Sequence, residues 1–187
     1  MPYRPEHVPK YHDWMSINEI QELTSSEPLS LEEEYQMQMN WLNDEDKLTF
    51  IVLSRDLYES AHEKNETDRE IYSMVGDVNL FLSEDTEENH SQLEHLAELN
   101  VMIVDHANRN KGFGSESISL MMNYAKQNFK SIVKFIAKID ETNMPSIRMF
   151  QNKFRFALIS HSQVFKQVLL ELKINSTNSN GSSEKIS

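Results

Sequence analysis

From residue 5 to residue 16 the apolar positions Val8, Tyr11, Trp14 and Met15 recur at helical spacing, with Pro5 suited to the first turn. A second helix is predicted from the capping box Ser30-x-x-Glu33 through about Trp41, with Leu31, Tyr35, Gln38/Met39 and Leu42 as its inner stripe. The pattern then shortens. Leu48–Leu53 (LTFIVL) and Tyr72–Leu82 (YSMVGDVNLFL) read as strands, and Gly76 inside the second marks a bulge or a close backbone approach. Between them, 54–70 is polar and reads as a loop with one helical turn, while 83–95 is an acidic loop carrying Glu84, Asp85, Glu87, Glu88 and Glu94.

A third strand, Leu96–Val104, leads through a polar turn into a helix that begins after Gly114 and buries Ile118, Met121, Met122, Ala125 and Phe129. Ile132–Ile139 alternates as a strand with Val133, Phe135, Ala137 and Ile139 on one side. A strand–helix–strand unit of this length predicts a right-handed parallel crossover. Asn143–Lys153 reads as a short helix burying Ile147, Met149 or Phe150, and Phe154; Phe156–Ser160 and Val164–Leu172 read as strands joined by a turn at His161-Ser162. Residues 1–174 form one α/β (α+β) domain, and 175–187, rich in Ser and Asn, is expected to be a disordered tail. No segment repeats.

Composition narrows the classes of function. A formal charge of −12 repels nucleic-acid backbones, so no nucleic-acid partner is expected; it serves solubility and equally tolerates a basic peptide or amine. No apolar run is long enough to span a bilayer and no signal-peptide core is visible, so an intracellular protein is expected, cytoplasmic with nuclear residence also open, and with no membrane partner. With no cysteine, disulfides, Cys-ligated zinc and thiol catalysis are excluded. His7 and His12 lie five apart and do not share a helical face, so they read as ordinary histidines and no metal is expected.

The chemistry concentrates at Arg109-Asn110-Lys111-Gly112-Phe113-Gly114, between strand and helix. Two glycines allow a tight turn and close approach to a ligand, and the helix that follows offers free N–H groups and the positive end of its dipole. Arg109 and Lys111 add positive charge. The junction reads as an anion cradle, although a strand–glycine turn–helix is also a common structural corner. It is neither a Walker loop nor a G-x-G-x-x-G turn.

The spacing Arg109, Gly112, Gly114 resembles the acetyl-CoA loop R/Q-x-x-G-x-G/A of the GNAT acetyltransferases. A second segment, Asn143–Phe156, resembles the GNAT signature N-x-x-[AS]-x-x-L-[YL]-x-K-x-G-F: Asn143, Ser146, Lys153 and Phe156 match, Met149 and Phe150 stand for Leu and Tyr/Leu, and Arg155 replaces glycine. Longer stretches (7–15, 23–35, 49–53, 74–82 and 143–151) are similar to the N-acetyltransferase 9 branch, close to the ribosomal-protein alanine acetyltransferases. The resemblance implies the GNAT fold: a mixed, mostly antiparallel sheet splayed between two parallel strands, with flanking helices. It implies acetyl transfer from acetyl-CoA to a protein amine, an N-terminal α-amine of a tubulin-like substrate in this branch.

By the same resemblance, backbone groups of Arg109, Asn110, Lys111, Gly112, Phe113, Gly114 and Ser115 hold the pyrophosphate, and Met102, Ile103 and Val104 pair with the pantetheine arm. Asn143 contacts the cofactor or a water near the thioester, and Phe150 stands where a tyrosine acid is usual, leaving thiolate protonation to water. Glu98 is the candidate general base, otherwise a solvated strand-end carboxylate. Two departures stand out. Asn100 replaces an expected second acidic residue, and only Pro2-Tyr3 matches the end of the family's first strand, so that strand is expected to be missing and the sheet edge unpaired. Two other functions are open: a GNAT-fold, tubulin-binding protein with little catalysis, and acetylation of a small amine. Acetyl-CoA binding separates the first from the enzyme.

Overall fold

The computed structural model describes residues 1–85 and 94–174; the expected disordered tail, and Glu87 and Glu88 of the acidic loop, lie outside them. Helices α1 (Val8–Met15), α2 (Asn18–Thr24) and α3 (Leu31–Asn43) precede strand β1 (Lys47–Leu53). Then follow α4 (Arg55–Ser60), α5 (Glu66–Ser73), β2 (Met74–Glu84), β3 (His95–Ile103), α6 (Phe113–Asn128), β4 (Ile132–Asp140), α7 (Met144–Arg148), β5 (Ala157–Ser162) and β6 (Gln167–Lys173). The sheet order is β1-β2-β3-β4-β6-β5, antiparallel throughout except for the β3–β4 pair. This is the mixed, splayed sheet with flanking helices that the sequence predicts.

One face of the sheet carries Val78, Leu80, Ala97, Leu99, Phe135, Ala137 and Leu170, covered by Ile118, Met121, Met122 and Ala125 of α6 and Ile147 and Phe150 after β4. The other carries Ile51 and Met102 beneath Tyr11, Trp14, Met15 and Ile20. Gly76 is both things expected of it. A Cβ there would lie 1.9 Å from the Met102 carbonyl oxygen. The register also slips beside it, Val52 facing Gly76 while Leu53 faces Met74.

Four expectations change. Of the expected stripe of α3 only Gln38 faces inward; Leu31, Tyr35, Met39 and Leu42 are exposed, and Glu34 turns inward beside Gln38, with Met37 and Trp41 packed on the N-terminal cluster. That face is chosen because Gln38 Nε2 donates to the Tyr3 carbonyl (3.1 Å) and Trp41 packs against Tyr3 and Tyr11. The 54–70 segment holds two helices rather than one turn, each started by a side-chain cap: Ser54 accepts from Leu57 N–H and Asn65 from Asp68 N–H. The last hairpin turns at 163–166, with Lys166 at φ 50°, so His161 and Ser162 stay in β5 and Val164 and Phe165 stand exposed at the tip. Finally, the edge of β1 is met at its centre. Met1 and Ile51 exchange backbone hydrogen bonds (3.0 and 2.8 Å), and Tyr3 N–H donates to the Thr49 carbonyl (3.3 Å).

Candidate active site

Pairing between β3 and β4 runs from His95↔Ile132 to Glu98↔Ile136 and stops. Beyond that point β3 continues to Ile103 with no partner on its β4 side. Val104 N–H bonds to Val75 on β2 (3.1 Å), so by antiparallel alternation the backbone groups of Val101 and Ile103 point into the gap. The Ile103 carbonyl is already taken by Arg109 Nε at 3.0 Å.

Two cavities open at this splay. One of about 500 Å³ is bordered by Val101, Met102, Ile103, Arg109, Asn110, Gly112, Phe113, Gly114, Ser115 and Asn143. The other, about 320 Å³, reaches Tyr11, Trp41, Asp77, Asn79, Phe81, Glu98, Asn100, Lys138, Asp140 and Phe150. They share Leu23, Thr24, Val101, Met102, Asn143 and Ser146, so each opens onto the same stretch of β3.

One end of the larger cavity carries features that favour an anion. Gly112 caps α6 at φ 95°, a left-handed conformation that glycine adopts without steric cost. Asn110, also left-handed at φ 59°, helps bend the turn. Among the described residues, none of the backbone N–H groups from Asn110 to Ser115 donates to a protein acceptor; the first to do so is Glu116, to Gly112 O at 2.9 Å. Unpaired amides at a helix N-terminus favour phosphate. Lys153 Nζ reaches Ser115 Oγ (2.6 Å) and brings a cation to the rim.

The residues singled out in the sequence fall into three groups. Met102, Ile103, Arg109, Asn110, Gly112, Phe113, Gly114, Ser115 and Asn143 border the larger cavity. Glu98 and Phe150 border the smaller one, where the Phe150 ring packs edge-on against Phe156. Val104 is buried among the N-terminal aromatics, and Lys111 is exposed on the turn, outside both linings. Arg109 contributes backbone rather than free charge: its guanidinium holds the Ile103 and Val104 carbonyls and pairs with Glu19. Asn143 caps α7, its side chain accepting from Ser146 N–H at 3.2 Å. Glu98 is engaged by Lys138 Nζ at 2.8 Å.

Sequence reading missed a polar row on the floor of the smaller cavity. Asp77 accepts from Asn79 Nδ2 (2.7 Å) and Tyr11 Oη (3.2 Å), and Thr49 Oγ1 donates to Asn79 Oδ1 (2.7 Å). Asp77 is 2% exposed, and burial pushes its carboxyl up to about 6 against the pull of Asn79 and Tyr11. Lys47, across β1, lies over the rings of Trp41 and Phe81, 2.9 and 4.3 Å from their centroids; burial pushes its ammonium down to about 7. A legible signal did exist: Asp77 and Asn79 alternate on one face of a strand that is otherwise apolar on both. No group of three or more metal-ligating side chains occurs among the described residues.

Comparison with known proteins agrees with this architecture. Residues 1–152 match the acetyltransferase (GNAT) domain model. An N-acetyltransferase 9-like protein of Caenorhabditis briggsae is 47% identical over 172 residues, covering 92% of this chain and 80% of that protein. The Homo sapiens alpha/beta-tubulin-N-acetyltransferase 9 is 44% identical over 178 residues, covering 94% and 79%. The fold is shared with Arabidopsis thaliana NAA60, whose crystal structure is of a complex with acetyl-CoA (TM-score 0.66, 12% identity, 94% and 97% covered). The chain belongs to the GNAT acetyltransferase family, whose acyl donor is acetyl-CoA, and is an N-acetyltransferase.

Proposed function

We propose that the chain transfers acetyl from acetyl-CoA to the N-terminal α-amine of a protein, α- or β-tubulin being the acceptor, in the cytoplasm. The observation that carries this reading is the meeting of two cavities along Val101 and Met102, one lined by unpaired amides and the other by carboxylates and aromatic rings. Acetyl-CoA supplies an activated acetyl thioester. The amides of residues 110–115 take the pyrophosphate, and the gap-side groups of Val101 and Ile103 orient the pantetheine arm. Asn143, at the junction, faces both ligands. The rings of Tyr11, Trp41, Phe81 and Phe150 exclude water where the amine must be uncharged to act as a nucleophile. Phe150 has no proton to give, so the departing thiolate takes its proton from elsewhere, which is tolerable for a thiol of pKa near 8.5.

The tubulin assignment rests on the names of relatives such as the Homo sapiens and Drosophila melanogaster alpha/beta-tubulin-N-acetyltransferases 9. Mass spectrometry of peptides copying the α- and β-tubulin N-termini, incubated with the chain and acetyl-CoA, tests it. A single acetyl group on the first residue is expected. Acetylation only of internal lysines, or none while acetyl-CoA raises the melting temperature, would overturn the acceptor.

A further inference from the structure

Three carboxylates border the smaller cavity, and they are not equivalent. Asp140 is committed to Thr142, whose N–H and hydroxyl both donate to Oδ1 (2.8 and 2.5 Å). Those bonds hold its carboxyl below the usual carboxylate range, which makes it a poor base. Glu98 is already paired with the Lys138 ammonium at 2.8 Å. Asp77 differs from both. Its side-chain partners, Asn79 and Tyr11, are neutral donors; the Lys47 ammonium on β1 attracts it, but among the described residues no cation forms an ion pair with it. It is buried, and its register partner on β3 is Met102, one of the six residues common to both cavities. An ionised carboxylate with no cation in direct contact is costly in such a place. An ammonium arriving through the cavity would remove that cost.

We propose that Asp77 is the carboxylate that receives the acceptor ammonium and takes its proton. The inference rests on the transferase reading and adds the residue that recognises the amine. Asp77 accepts one proton from R–NH3⁺. The freed lone pair forms the N–C bond to the thioester carbonyl as the C–S bond breaks and its electron pair leaves on sulfur. A second proton lost from nitrogen ends on the thiolate, and Asp77 returns its own to water. The charges sum correctly: ammonium and thioester become amide, thiol and one released proton. The titratable groups that act on Asp77 are Tyr11 on α1, Tyr3 before it and Lys47 on β1, while Glu34 on α3 acts on Tyr11.

The test uses the full chain and a peptide with a free N-terminus, measuring binding with CoA present and turnover with acetyl-CoA against pH. Asp77→Asn should keep the acetyl-CoA thermal shift, weaken peptide binding at least tenfold, lower kcat/KM about a hundredfold and erase the rise of kcat/KM with pH expected of wild type near 6. Glu98→Gln should keep that rise. Tyr11→Phe removes one donor to the ionised carboxylate and should move the rise to higher pH, which tests the proposal even where Asp77→Asn folds poorly. Unchanged peptide affinity and an unchanged pH profile in Asp77→Asn, or loss of the rise in Glu98→Gln alone, would overturn it. Wild-type chain that acetylates no peptide while Asp77→Asn still loses peptide affinity would overturn the transferase reading on that peptide and leave Asp77 as the amine's counter-ion.

Discussion

Arg109 Nη1 lies 2.6 Å from Glu19 Oε1 across 90 residues of sequence, tying α2 to the glycine turn before α6. The same guanidinium donates to the Ile103 and Val104 carbonyls at 3.0 Å, so it also clamps the end of β3. Because α2 supplies Leu23 and Thr24 to both cavities, the two cavities share one tether. Glu19→Gln keeps a neutral hydrogen bond and loses an exposed ion pair, so acetyl-CoA affinity should fall by no more than about fivefold. Arg109→Lys cannot reproduce three divergent donors. It should cost about 2 kcal/mol through the two abandoned carbonyls, lowering the melting temperature by roughly 4–8 °C. Thermal melts with and without acetyl-CoA separate the two variants; equal effects would mean that the carbonyl clamp contributes nothing.

Gly76 sets the spacing of the two strands that carry Asp77 and Met102. Its missing Cβ would fall 1.9 Å from the Met102 carbonyl oxygen, which is backbone and cannot swing aside. Gly76→Ala should therefore push β2 from β3, destabilise the chain by about 1–3 kcal/mol, and raise the KM for the peptide more than that for acetyl-CoA. Denaturant unfolding and steady-state kinetics on one preparation check this. A variant as stable as wild type would show that the strands separate at no cost.

Much of this site could be read in the sequence because it depends on local pattern. The R-x-x-G-x-G turn lies between a strand and an amphipathic helix, and Gly112 and Gly114 are placed by that local geometry. What escaped depends on partners distant in sequence. Nothing near Arg109 announces that Glu19 will meet its guanidinium, so its charge was read as free for phosphate. Nothing near Ser30 announces that the Tyr3 carbonyl needs Gln38, so apolar spacing alone points Leu31, Tyr35 and Leu42 to the core where a mixed face wins. Asp77 is only half legible: the strand shows a polar pair on an apolar background, but not that Tyr11 will meet it or that β3–β4 pairing will end at Glu98 beside it.

The two glycines of the cradle should respond oppositely to alanine. Gly114 lies in the first turn of α6, and a Cβ there would make only ordinary contacts of 3.8–3.9 Å with Ile103, Met149 and Val101. Gly114→Ala should stabilise by up to about 1 kcal/mol through the unfolded chain and leave acetyl-CoA affinity within about threefold. Gly112 has open space around its missing Cβ but sits at φ 95°. A side chain there is strained whatever its size, so Gly112→Ala should cost about 1 kcal/mol and, by re-aiming the amides, weaken acetyl-CoA at least tenfold. The larger Gly112→Trp carries the same strain and should abolish the thermal shift. Equal cofactor affinity in Gly112→Ala and Gly114→Ala would count against a phosphate at this turn.

His7 and Asp77 oppose each other in acid. His7 is fully buried, and burial pushes it down to about 4, so it stays neutral in the fold. Its contribution to stability is whole above the ordinary value of 6.5 and is lost as pH falls toward 4, about 3 kcal/mol in all. Asp77 is raised from 3.8 to about 6, so the folded chain holds its proton more tightly than the unfolded chain does. Its contribution is therefore whole below 3.8 and is lost as pH rises through 6, again about 3 kcal/mol. Between pH 4 and 6.5 the two slopes nearly cancel, and wild type should show little change in unfolding free energy from this pair. Asp77→Asn removes the second slope alone. That variant should gain stability at pH 7, by up to about 3 kcal/mol, and lose it steadily down to pH 4. His7→Gln, whose amide oxygen can still accept the Arg4 N–H that His7 Nδ1 accepts at 3.1 Å, should behave the other way, gaining stability as the solution is acidified. Urea unfolding of the three proteins at pH 4, 5.5 and 7 decides the matter. Parallel curves would mean that neither group carries its burial cost in the folded chain.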